Sequence, residues 1–152
     1  MMQPEELDTI LQAHRATLRY SHRQLLILVP DDESRGPNFQ ARLEDEGWRV
    51  ATWSHGDQPE EATQILLADT RGEMGLWYRL APITFMGSSL ISGHGGRDPF
   101  EPAALGSAIL YGPNVSRYLP AYSCLASAGA ARIVRDAETL AGAITRLSAP
   151  DQ

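Results

Sequence analysis

Residues 25–30 read Leu-Leu-Ile-Leu-Val-Pro, five consecutive apolar residues that a proline ends. A strand with one solvent-exposed face alternates apolar and polar residues, whereas an unbroken apolar run of this length is typical of a strand buried on both faces. Strands of that kind belong to parallel sheets flanked by helices. A polar, acidic loop at residues 31–37 follows directly. The run therefore predicts an interior strand of an α/β protein, with a loop at its carboxyl end.

The same alternation of strand and helix patterns extends along the chain in both directions. Five more short segments predict strands, at residues 48–53, 65–68, 83–86, 108–111 and 131–134. Apolar residues at helical spacing lie between them, and the first helix carries His14 on its apolar stripe, where a packed histidine is the favoured interpretation. We predict a Rossmann-like α/β fold over residues 1–152 as a single domain. Its mostly parallel sheet has about six strands, with helices on both faces.

Composition limits the functions that the chain can have. It has 152 residues, of which 43% are hydrophobic and 21% charged, so a globular domain with a real core is expected. The net charge of −6 argues against a nucleic-acid or anionic-membrane surface. The single cysteine excludes an internal disulfide and a cysteine-based zinc site, and we expect no metal and no cofactor. The acidic start and the absence of a long apolar run favour a cytoplasmic setting.

Four polar or glycine-rich loops follow predicted strands, after Val29, Ala68, Met86 and Tyr111. In open α/β sheets, ligands bind in the crevice outside the carboxyl ends of the strands. Because the carboxyl ends of parallel strands meet at one edge of the sheet, these four loops are expected to lie side by side there, and we call that edge the rim. That convergence indicates a binding site more strongly than any single loop.

The loop at residues 93–106 is the strongest candidate among them, because it joins several glycines to a helix start. Gly95 and Gly96 permit positive φ and close approach to a ligand. Asp98 is a candidate cap, with the helix starting near Pro99 or at Pro102. One interpretation is an ordinary capped helix after a turn, and the other is a site for a phosphate or a sugar hydroxyl.

The candidate binding residues each have a structural and a functional interpretation. An acid in the first turn of a helix stabilises the helix dipole, but a carboxylate also suits the two hydroxyls of a ribose. An arginine pairs with phosphate or is merely solvated, and serines donate to phosphate or form a turn. The candidates are Gly72, Glu73, Ser88, Ser89, Gly95, Gly96, Arg97 and Glu101. No nucleophile–base pair is recognisable, so no catalytic residue is nominated.

Several segments, taken in order and spacing, resemble the C-terminal domain of the 3-deoxy-D-manno-octulosonic acid (Kdo) transferases. The resemblance runs from about Glu5 to the end of the chain. Its segments are Ala13-His14-Arg15, residues 26–30, Asp69-Thr70, Gly72-Glu73, Gly75-Leu76, Gly95-Gly96, Pro99, residues 101–106, Gly112-Pro113 and residues 128–130.

This resemblance implies the C-terminal half of a GT-B glycosyltransferase, the half that carries the donor nucleotide. The donor would be CMP-Kdo, used to glycosylate lipid A precursors in lipopolysaccharide biosynthesis. Glu73 and Glu101 would contact the CMP moiety, with the glycine loop and Ser88-Ser89 near its phosphate. The family's catalytic carboxylate lies in an N-terminal half without a counterpart in these residues, so whether the chain takes part in an enzyme is left open. The expected partners are a nucleotide sugar and either a separate N-terminal half or further copies of the chain, with association to the inner membrane through a partner.

The chain also departs from the family pattern at polar positions. Asp31 and Asp32 stand where the family usually has a basic residue and a histidine, which reverses the charge beside the expected site. The alternative hypothesis is therefore a non-catalytic binding or scaffolding module that kept the fold and lost the nucleotide. The family also has a central strand before the first helix, and residues 1–6 are too polar to replace it. We predict a six-stranded sheet that either closes up without that strand or borrows an edge from a partner chain.

Overall fold

The computed structural model describes residues 3–20, 24–70, 74–90 and 95–148. Within these ranges strands and helices alternate after an initial helix, except that only a short 3₁₀ turn lies between the second and third strands. The strands are β1 (Leu26–Leu28), β2 (Val50–Thr52), β3 (Ile65–Leu67), β4 (Ile83–Met86), β5 (Ala108–Tyr111) and β6 (Ala131–Ile133). The helices are α1 (Leu7–Leu18), α2 (Gly36–Asp45), α3 (Met74–Leu80), α4 (Phe100–Ala104), α5 (Leu119–Ser127) and α6 (Ala137–Ser148). Short 3₁₀ turns cover Pro4–Glu6, Glu33–Arg35, Trp53–His55 and Ser116–Tyr118.

The strands form two parallel three-stranded sheets, in the orders β1-β3-β2 and β4-β5-β6. The predicted α/β class, the six strands and their parallel pairing are confirmed. Of the two alternatives for the missing strand, closure of the six strands into one sheet is wrong, because β1 and β4 do not pair with each other, and an edge borrowed from a partner chain stays a prediction. The two sheets are instead joined through the helices that cover them.

Helices cover both faces of the two sheets. Three of them, α1, α2 and α6, pack on a shared face whose core includes Leu28 of the first sheet and Leu110 of the second. On the opposite face, α3 packs through Trp77 against the first sheet. Helices α4 and α5 pack against the second sheet, where Tyr122 is fully buried. Because residues of α1, α2, α6 and both sheets share this one apolar core, the core joins the two sheets.

Several local predictions from the sequence are confirmed. Asp136 caps α6, since its carboxylate accepts the Thr139 N–H at 2.8 Å. Gly47 follows α2 at a φ of +83°. His14 is packed: it is 5% exposed, and its Nε2 lies 2.8 Å from the Gln64 carbonyl oxygen. These features follow from short-range pattern, which explains why the sequence revealed them.

Candidate functional site

The carboxyl ends of β4 and β5 are joined by close backbone contacts. The Gly112 N–H donates to Ser89 Oγ at 2.9 Å, and the Asn114 N–H donates to the Ser89 carbonyl at 2.8 Å. A Cβ at Gly112 would lie 2.5 Å from the Ser89 carbonyl oxygen. Only glycine fits there, because no side chain tolerates a backbone atom at that distance. The two loops therefore form one continuous rim.

The loop after β4 wraps around a buried carboxylate from the N-terminal turn. Glu6 is 1% exposed, and its Oε1 accepts the Ser88 N–H at 2.6 Å. Its Oε2 accepts the N–H groups of Ser89 at 3.1 Å and Leu90 at 3.0 Å. Ser88 has a φ of 62°, which turns successive amides towards one point. The protein itself thus supplies the anion that this concave row of amides holds.

The hydroxyls of Ser88 and Ser89 also have partners within the protein. Gln3 Nε2 donates to Ser88 Oγ at 2.8 Å, and Ser89 Oγ donates to the Met86 carbonyl at 2.5 Å. Both serines are at most 1% exposed. Their position shapes the loop, and their proposed role near a phosphate stays a prediction.

The twin glycines lie beside this loop. Gly95 and Gly96 have φ values of +77° and +88°, as expected from their sequence. The Gly96 N–H donates to the Ser88 carbonyl at 3.1 Å, while the Gly95 carbonyl accepts the Arg117 N–H at 3.2 Å. A Cβ at Gly96 would meet Val115 at 2.9 Å, and the Arg117 stem fills the space beside Gly95. The glycines thus permit close packing of the loops after β4 and β5.

Arg97 is held at the start of the next segment by a buried tyrosine. The Tyr122 hydroxyl donates to the Arg97 carbonyl at 2.5 Å, and its ring lies 4.5 Å from that of Tyr111. Burial raises the pKa of Tyr122 strongly, so the phenol stays protonated. Arg97 Nε is buried and has no hydrogen-bond partner among the described residues. The backbone of Arg97 is therefore fixed, and its buried Nε is left without a hydrogen-bond partner in this part of the chain.

Helix α4 places Glu101 on the surface near this arginine. The helix begins at Phe100, between the two starts that the prolines allowed, and Asp98 accepts the Phe100 N–H at 3.0 Å. Glu101 lies in the first turn and is exposed. The prediction that Asp98 is the cap is wrong, because Pro99 occupies the N-cap position and no side chain caps it; Asp98 instead forms a local turn just ahead of the helix.

Helix α3 brings Tyr78 near the charged residues at the start of α4, because α3 packs against α4. Burial raises the pKa of Tyr78, the negative charges of Glu101 and Asp98 raise it further, and Arg97 opposes them. The guanidinium and the two carboxylates therefore each lie within electrostatic reach of the Tyr78 phenol. The sequence did not single out Tyr78, since one tyrosine within a predicted helix carries no signal.

Among the predicted site residues, the structure joins Gly96 to Ser88 by a backbone hydrogen bond and places Arg97 and Glu101 each near Tyr78. Gly95 and Ser89 are the chain neighbours of Gly96 and Ser88. Gly72 and Glu73 lie outside the described residues, immediately before α3. Glu6 was missed by the sequence reasoning, because an acid in a polar N-terminal segment resembles any solvated acid.

The two acids after β1 are engaged locally. Asp31 forms an ion pair with Arg35 at 3.3 Å, and Asp32 accepts the Ser34 N–H at 2.9 Å. Their negative charge is therefore partly balanced at this end of the rim.

Within the described ranges, no group of three or more histidine, cysteine, aspartate or glutamate side chains is placed to hold a metal ion. Likewise, none of the helices in those ranges has the length and apolar character needed to cross a membrane.

These features define a Rossmann-like α/β domain of the kind that forms the C-terminal half of a GT-B glycosyltransferase. The structure is similar to the C-terminal CMP-Kdo binding domain of WaaA from Acinetobacter baumannii, with a TM-score of 0.82 and 29% sequence identity. The similarity covers 95% of this chain and 72% of the other.

The chain belongs to the 3-deoxy-D-manno-octulosonic acid transferase family, as a counterpart of the C-terminal domain. It is 34% identical to the transferase of Haemophilus influenzae over 113 residues, and 34% identical to that of Bordetella pertussis over 130 residues. A probable mitochondrial transferase of Arabidopsis thaliana is 32% identical over 114 residues. These matches cover 74%, 85% and 74% of this chain, but only 26%, 29% and 26% of the relatives. No family model matches the chain.

Proposed function

We propose that this domain binds the donor nucleotide of a Kdo-transferase-like glycosyltransferase, with CMP-Kdo or a related nucleotide sugar as the ligand. The observation that carries the proposal is the similarity to a CMP-Kdo binding domain over 95% of the chain. A shared fold alone would not indicate a ligand. The sequence identity and the agreement of the loop segments add the specificity that the fold lacks.

The arrangement of the rim supports an anionic, hydroxyl-rich ligand. Arg97 supplies a cation whose Nε has no internal partner among the described residues, and it suits a phosphate. Glu101 is exposed nearby and suits a pair of ribose hydroxyls. Tyr78 lies within reach of both charges and offers an aromatic surface with a hydroxyl. In the proposed site Glu73 joins Glu101 as a second carboxylate for the nucleoside.

Calorimetric titration with CMP tests the proposal directly. We expect saturable binding, and we expect Arg97→Gln and Glu101→Gln each to weaken it about 10-fold to 100-fold, because each removes a hydrogen bond to a charged group. Glu138→Gln is the matched control, since Glu138 is exposed on α6 and lies away from this rim. UMP serves as the control for base selectivity. No heat of binding at millimolar CMP, with the domain folded, would overturn the proposal.

The alternative is a scaffolding module that has lost the nucleotide. One observation favours it: the amides of Ser88, Ser89 and Leu90 already hold Glu6. A ligand phosphate therefore has to use other groups of the rim. A folded domain that binds no cytidine nucleotide would select this alternative.

The reaction that the proposed domain serves is transfer of Kdo to a lipid A precursor. The chain spans 26% to 29% of the length of the two bacterial relatives, so this activity requires residues outside it. We propose a cytoplasmic location with access to the inner membrane through a partner. Mixing with a separately produced N-terminal half of a relative, followed by a transferase assay, tests that arrangement.

A further inference from the structure

Arg117 lies against the twin glycines although it belongs to a different loop, the one after β5. It is in the 3₁₀ turn Ser116–Tyr118, and its N–H donates to the Gly95 carbonyl at 3.2 Å. A Cβ at Gly95 would overlap Cγ and Cδ of Arg117, so the aliphatic part of the arginine lies directly against the glycine backbone. The absence of a side chain at Gly95 therefore makes room for an arginine from the neighbouring loop.

Two further contacts fix the segment that carries Arg117 relative to the segment that carries Arg97. Val115 is 3% exposed and packs against Gly96, where a Cβ would lie 2.9 Å from the valine Cγ1. The Tyr122 hydroxyl donates to the Arg97 carbonyl at 2.5 Å. The two segments therefore touch at successive points, and both arginines belong to the same short stretch of the rim.

The two arginines are close enough to bind different groups of one small ligand. Arg97 follows Gly95 by two residues, so their Cα atoms are at most about 7 Å apart. Arg117 is hydrogen-bonded to Gly95 itself. Each arginine has a long side chain that ends in a planar guanidinium. Both cationic groups are thus within reach of a ligand the size of a nucleotide sugar.

Ion pairing among the described residues leaves both of these arginines out. The ion pairs in those ranges use Arg15, Arg35 and Arg42. Arg117 is exposed, whereas Arg97 has a buried Nε with no hydrogen-bond partner in the same ranges. An anionic ligand would supply the counter-ion that each guanidinium lacks.

The sequence around Arg117 is basic, although the domain as a whole carries a net charge of −6. Residues 102–135 include three arginines and no acidic residue. The acids nearest to the glycines along the chain, Asp98 and Glu101, follow Arg97 instead. The charge of Arg117 is therefore not balanced by acids of its own segment, and it strengthens the attraction for an anion at this end of the rim.

A ligand that engages both arginines needs two anionic groups. The proposed donor, CMP-Kdo, has a phosphate ester and, because its sugar is an octulosonic acid, a carboxylate close to that phosphate. The planar guanidinium of arginine matches the geometry of a carboxylate and can bind both of its oxygens. A neutral sugar would leave one of the two guanidinium groups without a counter-ion.

We infer that Arg117 is a specificity-determining residue of the donor site, where it binds the carboxylate of the sugar while Arg97 binds the phosphate of the nucleotide. The inference rests on the proposed function, since it assigns a second group of the same ligand. It means that the site selects nucleotide esters of acidic sugars over those of neutral sugars.

Calorimetric titration with CMP-Kdo and with its C1 carboxamide tests the inference. The carboxamide keeps the size of the ligand and removes only the carboxylate charge. We expect the wild type to bind the acid about 10-fold to 100-fold more tightly than the amide, because the amide loses a hydrogen bond between two charged groups. In Arg117→Gln this preference should vanish, while the affinity for CMP falls much less, because CMP has no carboxylate. Glutamine keeps the Cβ, Cγ and Cδ atoms that cover Gly95, so the loop packing is retained.

Three further variants separate the carboxylate contact from a general effect of charge. Arg132→Gln is the matched control, since Arg132 is an exposed arginine of the same acid-free segment on the edge strand β6, and it should leave the preference unchanged. Arg97→Gln should weaken CMP, the acid and the amide alike. Arg117→Lys keeps the charge without the planar guanidinium, so it should retain only part of the preference.

The outcomes distinguish this inference from the proposed function. If CMP binds but the wild type binds the acid and the amide equally, the inference is overturned and the proposed function stands. A preference that survives intact in Arg117→Gln also overturns it, as does an unchanged preference in Arg117→Lys if Arg117→Gln does not fold. No binding of CMP to the folded wild type overturns the proposed function, and this inference with it.

Discussion

Replacing the buried carboxylate by its amide, Glu6→Gln, should destabilise the domain severely. Oε1 of Glu6 accepts from Gln3 and Ser88, and Oε2 accepts from Ser89 and Leu90, at distances from 2.6 to 3.1 Å. Glutamine retains one acceptor oxygen, so its NH₂ group must face two N–H donors. Two hydrogen bonds to a charged group are lost, at about 1.5–3 kcal/mol each, which gives about 3–6 kcal/mol in total. The total free energy of unfolding of a small domain is about 5–15 kcal/mol, so the loss is a large fraction of it.

Urea unfolding followed by circular dichroism measures the effect. Glu5→Gln is the matched control, because Glu5 is the adjacent residue in the same turn, bears the same charge and is exposed. We expect a large fall in the unfolding midpoint for Glu6→Gln and no measurable change for Glu5→Gln. Hydrogen exchange at Ser88, Ser89 and Leu90 should accelerate in the Glu6 variant alone.

Equal stability of the two variants would refute the reasoning, since it would mean that water or another group satisfies the loop amides as well as Glu6 does. Destabilisation without faster exchange at the loop would also contradict it, because the effect would then arise elsewhere.

Three further outcomes are expected. Burial lowers the pKa of His14, so the unfolded state binds more protons than the folded state does. The free energy of unfolding should therefore fall as the pH drops below about 6.5. Urea midpoints measured across pH should show this fall in the wild type, and less of it in His14→Gln. Gly112→Ala should lower the free energy of unfolding by about 1–3 kcal/mol, because its Cβ would lie 2.5 Å from a backbone oxygen. Gly75→Ala is the control, because its Cβ would lie in open space on α3, and it should be neutral or stabilising in the same unfolding assay. Tyr122→Phe should cost about 1–3 kcal/mol by leaving the Arg97 carbonyl without its donor, while Tyr20→Phe, at a residue 78% exposed, should leave the thermal midpoint unchanged.

The element pattern could be predicted from the sequence because it depends on short-range periodicity. The apolar run at residues 25–29 contains β1, and the spacing of Leu7, Ile10 and Leu11 places α1. Glycines needing positive φ, such as Gly95 and Gly96, were also recognisable, since few other residues adopt that backbone conformation. The segments that resemble the Kdo transferases carried the family assignment, which the comparisons confirm.

The contents of the site could be predicted only in part. Arg97 and Glu101 were recognised because they flank the glycine loop. Tyr78 was missed, because its relation to them arises from the packing of α3 on α4. The roles assigned to the site residues remain predictions that the CMP titration tests.

The sequence by itself determined the α/β class, the order of strands and helices, and the family, since these depend on residue pattern along the chain. Only the tertiary structure decided that the strands divide into two sheets, and that Glu6 occupies the amides of Ser88–Leu90. The physical reason is that these partners lie far apart along the chain: β1 pairs with β3 across 39 residues (Leu26 with Ile65), and Glu6 and Ser88 are 82 residues apart. No local pattern of residues encodes a choice made over that distance.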